Sequence, residues 1–206
     1  MIGASPVWVV LVCALLYGCA CFLTVQLAEH LCASIEPFDD GPRPGTPPTA
    51  WLIAGGAVLG GVVGMRTAQP GAVVEFGLLI AALAGAWYAD VRCGIVPDYF
   101  TLVPLGLVFA FAIWSHNWGQ LISAAIVFVP FAAAALVSKG RGMGWGDVKL
   151  TALGAAVLGL SLAVFALSGA CIAAVIVAWV RKRRSEPIAF APYIAGSIGV
   201  MLAIAR

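Results

Sequence analysis

One long apolar run sets the architecture of this chain: residues 148–180 read VKLTALGAAVLGLSLAVFALSGACIAAVIVAWV, and RKRR follows at 181–184. Its only charge before the terminal RKRR cluster is Lys149. A helix needs roughly 20 apolar residues to span a membrane, so the run is too long for one ordinary span. Gly159 and the two residues after it offer the best place for a turn, which predicts helices at 147–159 and 161–180. If the run were instead one long helix, the chain would have seven spans rather than eight and its C-terminus would change side.

The composition of the whole chain is that of a membrane protein. Of its 206 residues, 63% are hydrophobic and only 10% are charged, which is too apolar for a soluble domain. The apolar runs are continuous rather than alternating, and this favours helices over a β-barrel. They predict an all-α, polytopic bundle of about eight transmembrane helices, at about 6–28, 50–65, 72–89, 99–115, 119–137, 147–159, 161–180 and 188–205.

The positive charges predict how the bundle is oriented. Lys and Arg concentrate in cytoplasmic loops, and with the 181–184 cluster in the cytoplasm, eight spans leave only Arg66 and Arg206 on the outer side. Both termini are therefore predicted to be extracytoplasmic. The polar, proline-rich loop 29–49 becomes a short cytoplasmic connection, so that residues 1–206 form a single membrane-embedded domain.

Several other kinds of site find no support in the sequence. The six cysteines contain no CxxC pair, so we interpret most of them as small apolar residues and expect neither a zinc site nor a disulfide framework. No metal and no cofactor is expected. The net charge is only +2, and no basic patch with interleaved aromatic residues is present, so no nucleic-acid partner is expected. The expected surroundings are the lipid bilayer.

Two other features lie within the predicted spans, a row of glycines and an acidic residue. Gly56, Gly60 and Gly64 recur every four residues on the second span, and such a face lets helices approach closely. Glu75 lies near the outer end of the third span, where neither a structural nor a catalytic interpretation explains it.

Two carboxylates stand at the ends of predicted spans. Asp90 closes the third span, and Asp147 opens the sixth directly after the glycine-rich residues 142–146. Two spans lie between them, and an even number of crossings returns the chain to the same face of the membrane. Either aspartate alone could be structural, Asp147 as an N-cap and Asp90 as the solvated end of a helix beside Arg92. Ionisable residues at such depth are costly and mark functional sites, so the pair favours an aspartic protease.

The chemistry requires the two carboxyl groups to lie close enough to share a proton. One then stays protonated while the other activates water, and the acid helps to protonate the leaving amine. Gly142, Gly144 and Gly146 would allow close backbone approach and positive φ. Because a helix N-terminus favours a negative charge, we expect Asp147 to be the ionised member and Asp90 the protonated one.

The residues around both aspartates resemble the signature blocks of type IV prepilin peptidases, which are bacterial membrane aspartic proteases of the GxGD type. In DVRCGIVPD, residues 90–98, the Asp stands seven residues before a Pro, as in the family's first block. In GMGWGDVKL, residues 142–150, both glycines of GxGD, Asp147, Lys149 and the final Leu match the second block. IAFAP, residues 188–192, is similar to a third block of Ile-Pro-Phe-Gly-Pro type, with two substitutions.

The resemblance implies removal of the basic leader peptide from prepilins or pseudopilins at the cytoplasmic face of the bacterial inner membrane. Asp90 and Asp147 would be catalytic, and an active-site loop would contain Gly142, Gly144, Gly146 and Lys149. For Lys149 a role as a positive-inside anchor is the plainer interpretation.

The resemblance also bears on methylation. Larger family members carry a zinc-binding domain with paired CxxC motifs between their first two spans, and they N-methylate the new N-terminus. Residues 29–49 hold no such motif, so a short, protease-only form without N-methyltransferase activity is implied.

Two non-enzymatic alternatives stay open: a transporter or channel subunit with an acidic path, and an assembly subunit that uses its glycine faces for partners.

Overall fold

The computed structural model describes residues 6–34, 49–67, 69–137, 143–180 and 189–204, and within these ranges every regular element is helical. The α-helices are α1 Val7–Ser34, α2 Thr49–Arg66, α3 Pro70–Cys93, α4 Leu102–Trp114, α5 Trp118–Val137, α6 Trp145–Leu158, α7 Leu160–Val180 and α8 Ala191–Ile204. One 3₁₀ turn, Asp98–Phe100, precedes α4. The prediction of an all-α polytopic bundle is confirmed, and the described residues contain eight α-helices.

The helices differ in how they relate to the membrane. Among the described residues, α1, α2, α3, α5 and α7 are long and apolar enough to cross a bilayer, whereas α8 and the segment Asp98–Trp114 are shorter apolar helices. The chain is therefore a polytopic membrane protein. Helix α6 has only 14 residues, most of them buried. Because it packs against α3, α4, α5, α7 and α8, it lies at the centre of the bundle.

The predicted turn at Gly159 is present, and it ends α6. Gly159 has φ 78° and ψ 164°, a combination that essentially only glycine adopts. The apolar run therefore forms two helices, α6 and α7, as a bundle of eight helices requires. Two other boundaries were predicted too early, because α1 continues to Ser34 rather than 28, and α3 to Cys93 rather than 89. Residues 29–34 are thus helical, and 35–48 lie outside the described residues.

The glycine face predicted on α2 packs against α1. A Cβ added to Gly60 would lie 2.5 Å from the backbone oxygen of Cys13, and one added to Gly64 would lie 3.0 Å from the Cα of Val10. Side chains larger than hydrogen would push the two helices apart. The prediction of close helix packing is confirmed.

Glu75 has a structural partner on another helix. The side chain of Gln120 on α5 donates a hydrogen bond of 2.8 Å to Glu75 Oε2. Glu75 is only 9% exposed, so this bond satisfies part of a buried carboxyl group and links α3 to α5. It supplies the explanation that sequence reasoning lacked.

A cation closes the C-terminal end of α8. The guanidinium of Arg66, at the end of α2, donates hydrogen bonds to the backbone oxygens of Leu202, at 2.5 Å, and Ala203. The last carbonyls of a helix have no partner within it, and a cation there also opposes the helix dipole. Helix α8 is thereby tied to α2.

One expectation about the cysteines was wrong. Cys32 and Cys93 form a disulfide that joins the end of α1 to the end of α3, with their Cα atoms 6.1 Å apart. The two residues are 61 positions apart in sequence and approach only when α1 packs on α3. The spacing of cysteines along the chain therefore gave no sign of the pair.

Candidate active site

Asp90 lies in the last turn of α3, with its side chain buried among backbone donors. The residue is 9% exposed. Its Oδ2 accepts a hydrogen bond of 2.9 Å from the backbone N–H of Ala191, and the N–H of Phe190 also donates to the carboxyl group. Since α8 begins at Ala191, the N-terminus of this helix faces Asp90. Helix N-termini are favourable surroundings for a carboxylate.

Asp147 lies in the first turn of α6, not at its cap. The N-cap is Gly144, so the interpretation of Asp147 as an N-cap was wrong; it stands three positions later. The backbone N–H of Gly144 donates to the carboxyl group of Asp147, which is how an acid at this third position commonly reaches back to the cap. One oxygen is thus used, whereas Oδ1 is buried without a hydrogen-bond partner.

The structure brings these two carboxyl groups together, although they come from distant parts of the chain. Asp147 is 8% exposed, and Asp90 lies close enough to it for their charges to repel. Two buried carboxylates within this range do not both ionise readily. The arrangement can therefore keep one acid protonated and the other ionised, and it leaves Asp147 Oδ1 to hydrogen-bond with a further group.

The glycines before Asp147 act through their small size. A Cβ on Gly146 would lie 2.6 Å from the Cβ of Val96, in the loop that follows α3. The expected close approach is therefore present at Gly146. The expected positive φ is found at neither Gly144 nor Gly146, because Gly144 is extended and Gly146 is already helical. Gly142 lies outside the described residues.

Lys149 forms an ion pair that the sequence did not reveal. Its Nζ lies 2.5 Å from Oδ1 of Asp98, the first residue of the 3₁₀ turn before α4. The side chains are 23% exposed for Lys149 and 60% for Asp98. Asp98 closes the block 90–98, and that position was the only sign that it belongs near the site.

The third sequence block also meets the site. Phe190 and Ala191, which belong to the block at 188–192, provide the two backbone donors to Asp90. Sequence reasoning gave these residues no role. Because they act through backbone N–H groups, side-chain identity carried little information about them.

Comparison with known proteins identifies one family. The sequence model of the type IV leader peptidase family matches residues 77–179, half of the chain, a range that includes both Asp90 and Asp147. No curated protein and no solved structure matches the chain.

Proposed function

Because the chain belongs to the type IV leader peptidase family, we propose that it is a membrane aspartic endopeptidase that removes basic leaders from type IV prepilins or pseudopilins. Membership of the family makes the chain a protease of the leader-peptidase type. The observation that carries the finer proposal is the pair of buried carboxyl groups, Asp90 and Asp147, close enough to interact. A transporter path or a pair of helix caps would not require two buried acids close enough for their charges to interact.

In the proposed reaction the two aspartates act as base and acid. The ionised carboxylate accepts a proton from a water molecule, and the resulting hydroxide attacks the carbonyl carbon of the scissile peptide bond. The protonated carboxyl group stabilises the developing oxyanion and donates its proton to the amide nitrogen as the carbon–nitrogen bond breaks. The products are a carboxylate on the leader and a free amine on the mature protein.

Hydrogen bonding supports a different division of roles from the one expected from sequence. Asp90 accepts two backbone N–H groups, and such donors stabilise the ionised form of a carboxyl group. One buried oxygen of Asp147 has no hydrogen-bond partner. When this oxygen carries the proton, it can donate a hydrogen bond. We therefore assign the resting negative charge to Asp90 and the proton to Asp147.

The proposed site faces the cytoplasm at the inner membrane. Its support is the charge pattern: Arg92 and Lys149 flank the two aspartates, and cationic residues favour cytoplasmic ends of spans. A prepilin-type substrate has a basic, cytoplasmic leader followed by an apolar segment in the membrane, so its cleavage point would lie at this depth. We further propose that residues 1–206 act as one peptidase domain without methyltransferase activity.

The test is leader removal from a tagged prepilin co-expressed with the chain, followed by gel shift. Asp90→Asn and Asp147→Asn keep the shape of the side chain, and each is expected to lower the processing rate by about 10²- to 10⁴-fold, the usual worth of a general acid or base. Glu75→Gln is the matched control, because it makes the same exchange in a buried residue of α3 that is hydrogen-bonded to α5. Equal membrane levels of all variants are required. Normal processing by either Asp variant would reject the dyad.

A further inference from the structure

The loop after α3 and the start of α6 are joined at two points besides the aspartates. Gly146 packs directly on Val96, and Lys149 pairs with Asp98. Each contact connects a residue that follows Asp90 in sequence to a residue within one turn of Asp147. The relative position of the two aspartates therefore depends on how these two segments meet.

Asp98 is held firmly with respect to α3. The 3₁₀ turn that it begins includes Phe100, whose ring packs so closely on Gly85 of α3 that a Cβ there would lie 2.6 Å away. The backbone oxygen of Asp98 also accepts a hydrogen bond of 3.1 Å from the N–H of Thr101. The backbone of Asp98 is thus anchored to the part of the protein that carries Asp90.

Lys149 connects Asp98 to α6 through their ion pair. Residues two positions apart do not share a face of a helix, so Lys149 and Asp147 leave α6 on different sides. A bond of 2.5 Å between Lys149 Nζ and Asp98 Oδ1 therefore restrains rotation of α6 about its axis. Because both side chains are partly exposed to solvent, such a pair adds little to global stability. The ion pair therefore matters for the orientation of α6 about its axis rather than for stability.

We propose that Asp98 and Lys149 are positioning residues: their ion pair sets the rotation of α6 so that the carboxyl group of Asp147 meets that of Asp90. This inference rests on the proposed function, since the geometry matters for catalysis only if the two aspartates are the dyad. Neither residue of the pair contacts the scissile bond in this scheme.

A double-mutant cycle tests the pair. The variants are Asp98→Asn, Lys149→Gln and the combination, with kcat and KM measured on a purified prepilin. Each single change is expected to lower kcat by roughly 10- to 100-fold, the effect of a small misplacement of reacting groups, with KM little changed. Because the two residues act as a unit, the double variant should be no slower than the slower single variant. Lys149→Arg keeps the cation and should retain most of kcat.

Several results would overturn the proposal. They are unchanged kcat in either single variant, losses that multiply in the double variant, or an effect on KM alone, which would indicate substrate binding. Tyr99→Phe is the control, because it alters an exposed residue of the same 3₁₀ turn without touching the charge pair. It should leave both constants unchanged.

A second readout separates this inference from the proposed function. If the wild-type chain cleaves no prepilin, the proposed function is rejected, and amide hydrogen exchange then decides the role of the pair. Exchange within 94–101 and 145–149 should be faster in both single variants than in the wild type, and no faster still in the double variant. Unchanged exchange in these segments would overturn the positioning role.

Discussion

Replacing Gly146 with alanine should disturb both stability and catalysis. The new Cβ would lie 2.6 Å from the Cβ of Val96 and 3.2 Å from its backbone oxygen, whereas ordinary contact begins at 3.4 Å. The start of α6 must therefore move from the loop by about 0.8 Å, the difference between 3.4 and 2.6 Å. Overpacking of this kind costs about 1–3 kcal/mol. Because Asp147 is the next residue, we expect leader removal to slow by up to about 10²-fold, the effect of a misplacement near 1 Å.

Gly106→Ala is the matched control for this prediction. Gly106 lies within α4 and has open space where a Cβ would stand, so alanine should stabilise the helix by about 0.5–1 kcal/mol. Thermal denaturation in detergent and initial rates of prepilin cleavage are measured for both variants. The melting temperature should fall for Gly146→Ala and hold or rise for Gly106→Ala, whose cleavage rate should stay at the wild-type value. If Gly146→Ala is as stable as Gly106→Ala and cleaves at the wild-type rate, the close contact with Val96 does not govern the site.

Three further predictions concern residues outside the proposed pair of aspartates. Glu75→Leu leaves the Gln120 amide without its acceptor and should cost about 1–3 kcal/mol, whereas Glu75→Gln should cost less; equal melting temperatures for the two would refute the role of this hydrogen bond. Gly159→Ala places a side chain at φ 78° and ψ 164°, which should cost about 1–3 kcal/mol and lower the melting temperature; a melting temperature at or above the wild-type value would contradict the observed turn. Peptides containing Cys32 and Cys93 should be recovered linked by mass spectrometry before reduction and separate after it; alkylation of both thiols without reductant would exclude the bond.

The parts of the fold that sequence predicted are those decided locally. Continuous apolar runs marked the eight helices, and Gly159 marked the break between two of them because its backbone conformation is a property of the residue itself. The placement of Asp90 and Asp147 at the same end of the bundle was also predictable, because it follows from counting crossings of the membrane rather than from detailed packing.

The remaining features depend on contacts between distant segments. Asp98 and Lys149 are ordinary surface charges until the loop after α3 meets α6, and Cys32 approaches Cys93 only through the packing of α1 on α3. The donors to Asp90 are backbone N–H groups, which every residue except proline possesses. Residue types in the sequence therefore could not predict them. The error at Asp147 was one of register: Asp is a favoured N-cap residue, but the helix begins at Trp145.

Helix α8 lies between Asp90 on α3 and Arg66 on α2. At its N-terminus, a backbone N–H donates a hydrogen bond to Asp90. At its C-terminus, the backbone oxygens of Leu202 and Ala203 accept hydrogen bonds from Arg66. At 1.5 Å per residue, the 14 residues of α8 give the helix a length of about 20 Å. A displacement of α8 along its axis would therefore move the backbone donor to Asp90 together with the carbonyl groups that Arg66 binds.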